Sequence, residues 1–207
     1  MGDQLRDQLR RDLGEIDIYL FDQLLKGRIT KGMPILDAGC GDGRNLVYLL
    51  RSGCDVWGVD RSAEAVEATR RMATLIAPGT PPDRFTVQTV ERLSFDDGEF
   101  DFVISSAVLH FARDEAHWWA MAQEMWRVLA SGGILFARLA STIGHEARVR
   151  PLGNRRYVLP DGSERFLVDE AYLVDATRRL GGQLIDPIKT TVVQDARSMT
   201  TWVVRKR

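Results

Sequence analysis

The stretch ILDAGCGDGRN, Ile35 to Asn45, sets Gly39, Gly41 and Gly43 on alternate positions behind a short apolar run and Asp37. Glycines at that spacing leave a backbone bare enough to approach a ligand closely, and a helix that follows would turn its N-terminal N–H groups toward the same place. Asp60 lies 17 residues after Gly43, at the end of the next apolar run. A carboxylate there offers two acceptor oxygens to the two hydroxyls of a ribose. The pair predicts an adenosyl ligand and leaves three readings of the loop open: an ordinary tight turn, a dinucleotide loop of G-x-G-x-x-G form, and a loop for an adenosyl sulfonium. Arg44 stands where the dinucleotide pattern needs a small residue for close helix–strand packing.

His110 is the candidate general base, four residues past Ser106, since an unperturbed imidazole titrates near pH 6.5. The competing reading is a histidine that orders its loop or packs on Phe111. His117 and His145 read as solvated surface groups. Arg138, Arg148, Arg150, Arg155, Arg156 and Arg165 crowd one segment beside Tyr157. Their planar donors suit a carboxylate, phosphate or small oxyanion, which makes Arg138, Arg150 and Tyr157 the candidate substrate-binding residues. The bland alternative is a solvated loop, because Glu146, Asp161 and Glu164 dilute the charge. Trp118, Trp119 and Trp126 read as core groups rather than an aromatic cage.

The chain of 207 residues is 44% hydrophobic and 28% charged with a net charge of −1, which describes one soluble globular domain over 1–207. No general attraction to nucleic acid or to an anionic membrane follows from that balance. No apolar run approaches the roughly 20 residues that cross a bilayer, and the charged N-terminus lacks the apolar core of an export signal. Cys40 and Cys54 have neither CxxC nor metal-ligand spacing, so no metal is expected and a reducing cytoplasm is.

These residues need elements to position them. Leucines and isoleucines at three- and four-residue steps predict helix through the first 26 residues, broken near Gly14 and packed on the domain. PILDA, DVWGV, RFTVQT, FDFVIS and GGILFARLA read as strands, separated by helices from Arg44 to Gly53, from the Ser62 cap to the APGTPPD loop, and from the Asp114 cap to Leu129. Residues 141–167 read as irregular around an LPDGS turn. A capped helix to Gly181 and two strands, QLIDPI and TTWVVRK, complete the chain. Alternating strands and helices imply an α/β fold with a parallel, doubly wound sheet, whose ligands bind beyond the carboxyl ends of the strands.

From about Met33 to Phe136, ILDAGCGDG, VWGVDRS, TVERLSF, FDFVISSAVLHF and EMWRVLASGGILF follow in the order of the class I S-adenosylmethionine-dependent methyltransferases, which the chain resembles. GCGDGRNLVYLL, through Arg44 and Asn45, also resembles the tellurite-resistance methyltransferases. The resemblance implies a Rossmann-like, mostly parallel seven-stranded sheet with an antiparallel last strand, and S-adenosyl-L-methionine as cofactor with S-adenosyl-L-homocysteine as product. It assigns Asp37, Gly39, Cys40 and Gly41 to the methionine half, with Asn45 beside them. Asp60 falls to the ribose, Arg61 to the edge of the adenine, the Val90 and Glu91 backbone to the base, and the Ser106 carbonyl to the amino group. Thr89 stands where many relatives carry an aspartate. The expected activity is methyl transfer to a small-molecule acceptor, with 1–30 as an N-terminal helical cap and 140–168 as an acceptor-site insertion. A non-catalytic binding module and an NAD-dependent oxidoreductase are the alternatives. No motif for amino-methylation of DNA follows the fourth strand, so no nucleic-acid partner is expected.

Overall fold

Gly14 divides the N-terminal apolar periodicity into two helices, α1 (Gly2–Leu13) and α2 (Ile18–Leu25), because its φ of +66° is left-handed and its N–H closes on the Arg10 carbonyl at 2.9 Å. The computed structural model describes residues 2–207, which form one unit ending at Val90 and a second from Glu91 to Arg207. The leucine spacing marks the helices correctly and misjudges their packing. Leu20 of α2 is fully buried, whereas Leu5 of α1 is 61% exposed. Asp17 starts α2 by accepting the Tyr19 N–H at 2.9 Å.

The rest of the first unit alternates β1 (Pro34–Ala38), α3 (Val47–Arg51), β2 (Asp55–Asp60), α4 (Ala63–Ile76) and β3 (Phe85–Val87). β1 pairs parallel with β2, and β2 with β3. Ile35, Leu36, Ala38, Val56, Val59 and Phe85 are buried, the continuous apolar runs of strands covered on both faces. Ser62 caps α4 by accepting the Ala65 N–H at 3.2 Å. α3 is shorter than the helix expected from Arg44. The N–H groups of Gly43 and Leu46 close turns on the Cys40 and Gly43 carbonyls (3.0 and 2.8 Å), so helical bonding starts only afterwards.

The second unit begins with β4 (Phe100–Ser106), α5 (Glu115–Val128) and β5 (Leu129–Ala140), where β4 and β5 are parallel. It continues through β6 (Arg150–Gly153), β7 (Arg156–Val158), β8 (Glu164–Phe166), α6 (Glu170–Arg179), β9 (Gly182–Leu184), β10 (Lys189–Val193) and β11 (Arg197–Lys206). β11 runs antiparallel to β5 on one side and to β10 on the other, and β9 pairs antiparallel with its end. Parallel strands alternating with helices, closed by an antiparallel last strand, make the fold the expected α/β class.

Two sequence expectations are corrected here. The stretch 141–167 is not irregular: β6, β7 and β8 form a separate antiparallel sheet. β6 is exposed on both faces, which removes the period-2 alternation that marks a half-buried strand. Asn154 and Arg155, both at positive φ, make its tight turn. β10 is also an additional strand, so the C-terminal region holds three strands rather than two. Behind them Trp118, Phe166, Tyr172 and Trp202 cluster, with the ring centroids of Phe166, Tyr172 and Trp202 lying 5.0 to 6.3 Å from Trp118. The Trp202 indole N–H donates to Thr177 Oγ1 at 2.9 Å. The tryptophans of α5 are core groups, as their spacing implies.

Candidate cofactor and acceptor sites

The glycine loop hangs from the end of β2. Gly39 and Cys40 both donate their N–H to the Val59 carbonyl (2.8 and 2.9 Å), and Gly41 donates to Asp60 Oδ2 at 3.0 Å. The other Asp60 oxygen accepts the Ser62 N–H at 2.9 Å. Thr69 of α4 donates its hydroxyl to the Gly41 carbonyl at 2.8 Å. Gly39, Gly41 and Gly43 have φ of +94°, +56° and +84°, a region costly for residues with a Cβ. A Cβ built on Gly41 would meet nothing within 4 Å, so open space lies beside that backbone.

Asp37 is the buried acid beside this loop. It is 1% exposed, and neither carboxylate oxygen has a hydrogen-bond partner among the described residues. Burial pushes its pKa up to about 7; the Arg44 charge opposes the shift and the Asp60 charge adds to it. An orphaned buried carboxylate is costly, and a ligand that supplies a donor or a positive charge removes the cost. Asp37, the open face of Gly41 and the fixed carboxylate of Asp60 therefore fit a cofactor that bears an ammonium group and a ribose.

The neighbouring assignments differ in kind. Cys40 is a buried free thiol, pushed well above its ordinary pKa by burial, and serves the loop through its backbone. Asn45 is buried, and its Oδ1 accepts the Asp17 N–H at 3.0 Å, which ties the loop to the start of α2. Arg61 and Thr89 are exposed and Val90 is half-buried. Gly58 was not singled out by its sequence. A Cβ there would lie 3.0 Å from Phe85 and 3.1 Å from the Cys40 sulfur, so its bareness makes room for the loop.

In the second unit the segment from Glu91 to Gly98 is laced to one face of α5. Glu91 and His117 Nε2 are 3.3 Å apart, without the alignment of a hydrogen bond. Glu124 accepts the Leu93 N–H at 2.8 Å. Arg127 donates to the carbonyls of Leu93 and Phe95 (3.1 and 2.9 Å), to Asp97 at 2.7 Å, and to both oxygens of Glu124. His117 Nδ1 accepts the Arg113 N–H at 3.1 Å, so this histidine is half-buried and engaged rather than solvated. Only the long-range folding of 91–98 onto α5 marks Glu124 and Arg127, which is why sequence spacing misses them.

Ser106 ends β4, buried and paired in register with Arg138 of β5. The next residue, Ala107, has φ +66° and donates its N–H to the Arg138 carbonyl at 2.7 Å. A left-handed non-glycine residue at a strand end stores about 1 kcal/mol or more of strain, a feature of functional turns. His110 is buried, and its Nδ1 accepts the Ala140 N–H at 3.2 Å. Burial, with the Arg165 charge, pulls its pKa down to about 4. The ring is therefore neutral with its proton on Nε2. The Nδ1 lone pair accepts a backbone amide, the arrangement of a histidine that orders its loop.

Arg150 and Tyr157 lie on β6 and β7 of the small sheet, where Arg150 pairs with Val158 and Tyr157 with Pro151, so the two occupy opposite faces; Arg138 lies on β5 with Nη1 3.4 Å from Thr201 Oγ1. Arg148, Arg155 and Arg156 pair with Asp195, Asp169 and Glu164. His145 is 3% exposed with a buried Nε2 that lacks a partner among the described residues, which overturns its reading as a surface group.

Residues 36–137 match the family model described as a methyltransferase domain. A relative described as an uncharacterized methyltransferase of Synechocystis sp. is 34% identical over 106 residues, 51% of this chain and 46% of that protein. The ubiquinone biosynthesis O-methyltransferase of Chelativorans sp. is 28% identical over 172 residues, 76% of this chain and 64% of that protein. The chain thus spans less than two thirds of the length of either relative. The crystal structure of a methyltransferase from Methanosarcina mazei, described as S-adenosylmethionine-dependent, has a TM-score of 0.72 at 21% identity over 88% of this chain and 96% of that one, and so shares the fold. Among the described residues no helix is long and apolar enough to cross a membrane.

Proposed function

We propose that the chain is a class I S-adenosylmethionine-dependent methyltransferase, a reading supported by the match of residues 36–137 to a methyltransferase-domain model and by the shared fold, and that it methylates a small-molecule acceptor in the cytoplasm and releases S-adenosyl-L-homocysteine. The observation that carries the reading is the buried carboxylate of Asp37, which lacks a hydrogen-bond partner among the described residues while open space lies beside Gly41 in the glycine loop.

When bound, S-adenosylmethionine supplies a methyl group activated on a sulfonium. Asp37 would face the positive charge of the methionine half, with Gly39, Cys40 and Gly41 presenting bare backbone. Asp60 would accept the ribose hydroxyls while its carboxylate keeps Gly41 and Ser62 in place. Arg61, Val90 and Glu91 line the adenine, Ser106 offers its carbonyl, and Asn45 steadies the loop through Asp17. Residues 1–30 act as a helical cap, and 140–168, with Arg138, Arg150 and Tyr157, shape the acceptor side within one methyltransferase domain. The chain's main contribution is alignment and water exclusion, together worth about 7–11 kcal/mol when alignment is good. His110 orients its loop as a neutral ring instead of taking up a proton.

Calorimetry tests the proposal. Binding of S-adenosylhomocysteine with no measurable NAD(H) binding is expected; the reverse result sinks it. Cofactor binding without turnover across a broad acceptor panel would instead identify a non-catalytic module.

A further inference from the structure

His110, Phe111, Tyr157 and Arg165 form a cluster that contains donors and no free carboxylate. The Arg165 guanidinium lies 4.8 Å from the centroid of the Phe111 ring, which is itself 4.6 Å from the His110 ring. Tyr157 is the cross-strand partner of Arg165 between β7 and β8, so the two side chains share a face of the small sheet. Arg165 is half-buried and makes one hydrogen bond, from Nη1 to the Glu164 carbonyl at 2.7 Å. Its Nε and Nη2 edge has no acceptor among the described residues. That edge is the one that matches the two oxygens of a carboxylate.

The acids of the same segment make their hydrogen bonds to groups other than Arg165. Glu164 pairs with Arg156 at 2.8 Å, and Asp169 with Arg155 at 2.9 Å. Exposed Asp161 accepts the Ser163 N–H and feels the Arg165 charge without a hydrogen bond to it, and Glu146 accepts the Gly144 N–H. His110 adds no acceptor, because Nδ1 already holds the Ala140 amide proton. A half-buried cation stacked on an aromatic ring, with its bidentate edge open, is satisfied by an acceptor-only ligand.

We propose that Arg165, with Tyr157, is the anchoring site for a carboxylate of the methyl acceptor, which makes the acceptor a carboxylic acid. The inference rests on the methyltransferase reading for the word acceptor, and on the cluster alone for the anion. Arg165 is a binding residue in this scheme. His110 supplies a neutral, uncharged wall beside it.

The test uses the full chain loaded with S-adenosylhomocysteine and titrated with matched pairs: benzoate against benzamide, phenylacetate against its amide, hexanoate against hexanamide, and inorganic phosphate as the other anion. Carboxylates should be preferred over their amides by about tenfold or more, the scale of a charge-assisted bidentate contact. Arg165→Met should abolish the preference, Arg165→Lys should retain part of it, and Arg178→Met, which removes a paired surface arginine outside 140–168, should leave it intact. Thermal melts establish that each variant is folded. Equal binding of acids and amides, a preference that survives Arg165→Met, stronger binding of phosphate than of any carboxylate, or no binding by any acid overturns the site. Each of these, found with S-adenosylhomocysteine bound, leaves the cofactor reading standing; failure of the wild type to bind S-adenosylhomocysteine removes both.

Discussion

The carboxylate of Asp60 accepts the amide proton of Gly41 at 3.0 Å, so the residue that ends β2 also sets the shape of the glycine loop. Removing it should do two kinds of damage. Asp60→Ala leaves the part-buried Gly41 amide unpaired, at about 1–3 kcal/mol, leaves the exposed Ser62 amide to water, and removes the ribose acceptor. A lowered melting temperature and a loss of S-adenosylhomocysteine affinity of about 100-fold are expected by calorimetry, and unchanged affinity would refute the ribose assignment. Gly41→Ala should separate the two effects. Its left-handed φ costs about 1 kcal/mol, and its methyl group enters the open space proposed for the cofactor, so affinity falls much more than stability.

Asp37 makes the apo protein sensitive to pH in a defined direction. Its folded pKa of about 7 lies above the ordinary carboxylate value. Between roughly pH 4 and 7 the folded state therefore holds a proton that the unfolded chain has released. Stability is greatest at the acid end of that window, falls as pH rises through it, and levels off above, with a slope of at most about 1.4 kcal/mol per pH unit. Asp37→Asn should remove this fall, so the variant gains melting temperature relative to wild type between pH 5 and 8. Cofactor binding should show the opposite trend in wild type: affinity rises through pH 7 with proton release, measurable by titration in two buffers of different ionisation enthalpy.

Arg127 should act on a segment distant from it in sequence. Arg127→Met removes the donors that hold the Leu93 and Phe95 carbonyls and leaves Glu124 without its partner. A loss of about 2–4 kcal/mol is expected. Hydrogen exchange should accelerate most over residues 91–98, and S-adenosylhomocysteine affinity should drop with it. Uniformly faster exchange across the unit would show that Arg127 has no special hold on that segment.

Gly58→Ala tests a position that touches the site only through its neighbours. Its methyl group would press on Phe85 and on the Cys40 sulfur, at 3.0 and 3.1 Å. The expected cost is about 1–3 kcal/mol, with weakened cofactor binding as Cys40 and its loop are displaced. Full affinity in the folded variant would mean that the loop tolerates the shift.

Short-range chemistry was legible in the sequence. The spacing of Gly39, Gly41 and Gly43, the carboxylates Asp37 and Asp60, the caps at Ser62 and Asp114, and the order of strands and helices through β5 depend on residues near one another in the chain. Their backbone requirements are local. Other decisions belonged to the tertiary structure, because they depend on what a side chain meets across long sequence distances. Burial made Asp37 an acid of raised pKa without a hydrogen-bond partner among the described residues, and the fold set His110 Nδ1 against the Ala140 amide. His145 went inside although its surroundings are polar in sequence. Exposed β6 and half-exposed β7 carry no alternation, so only their pairing with β8 reveals the sheet that brings Tyr157 beside Arg165. The residue types determined which chemistry was available; solvent exclusion and long-range hydrogen bonding decided which groups remained free to perform it.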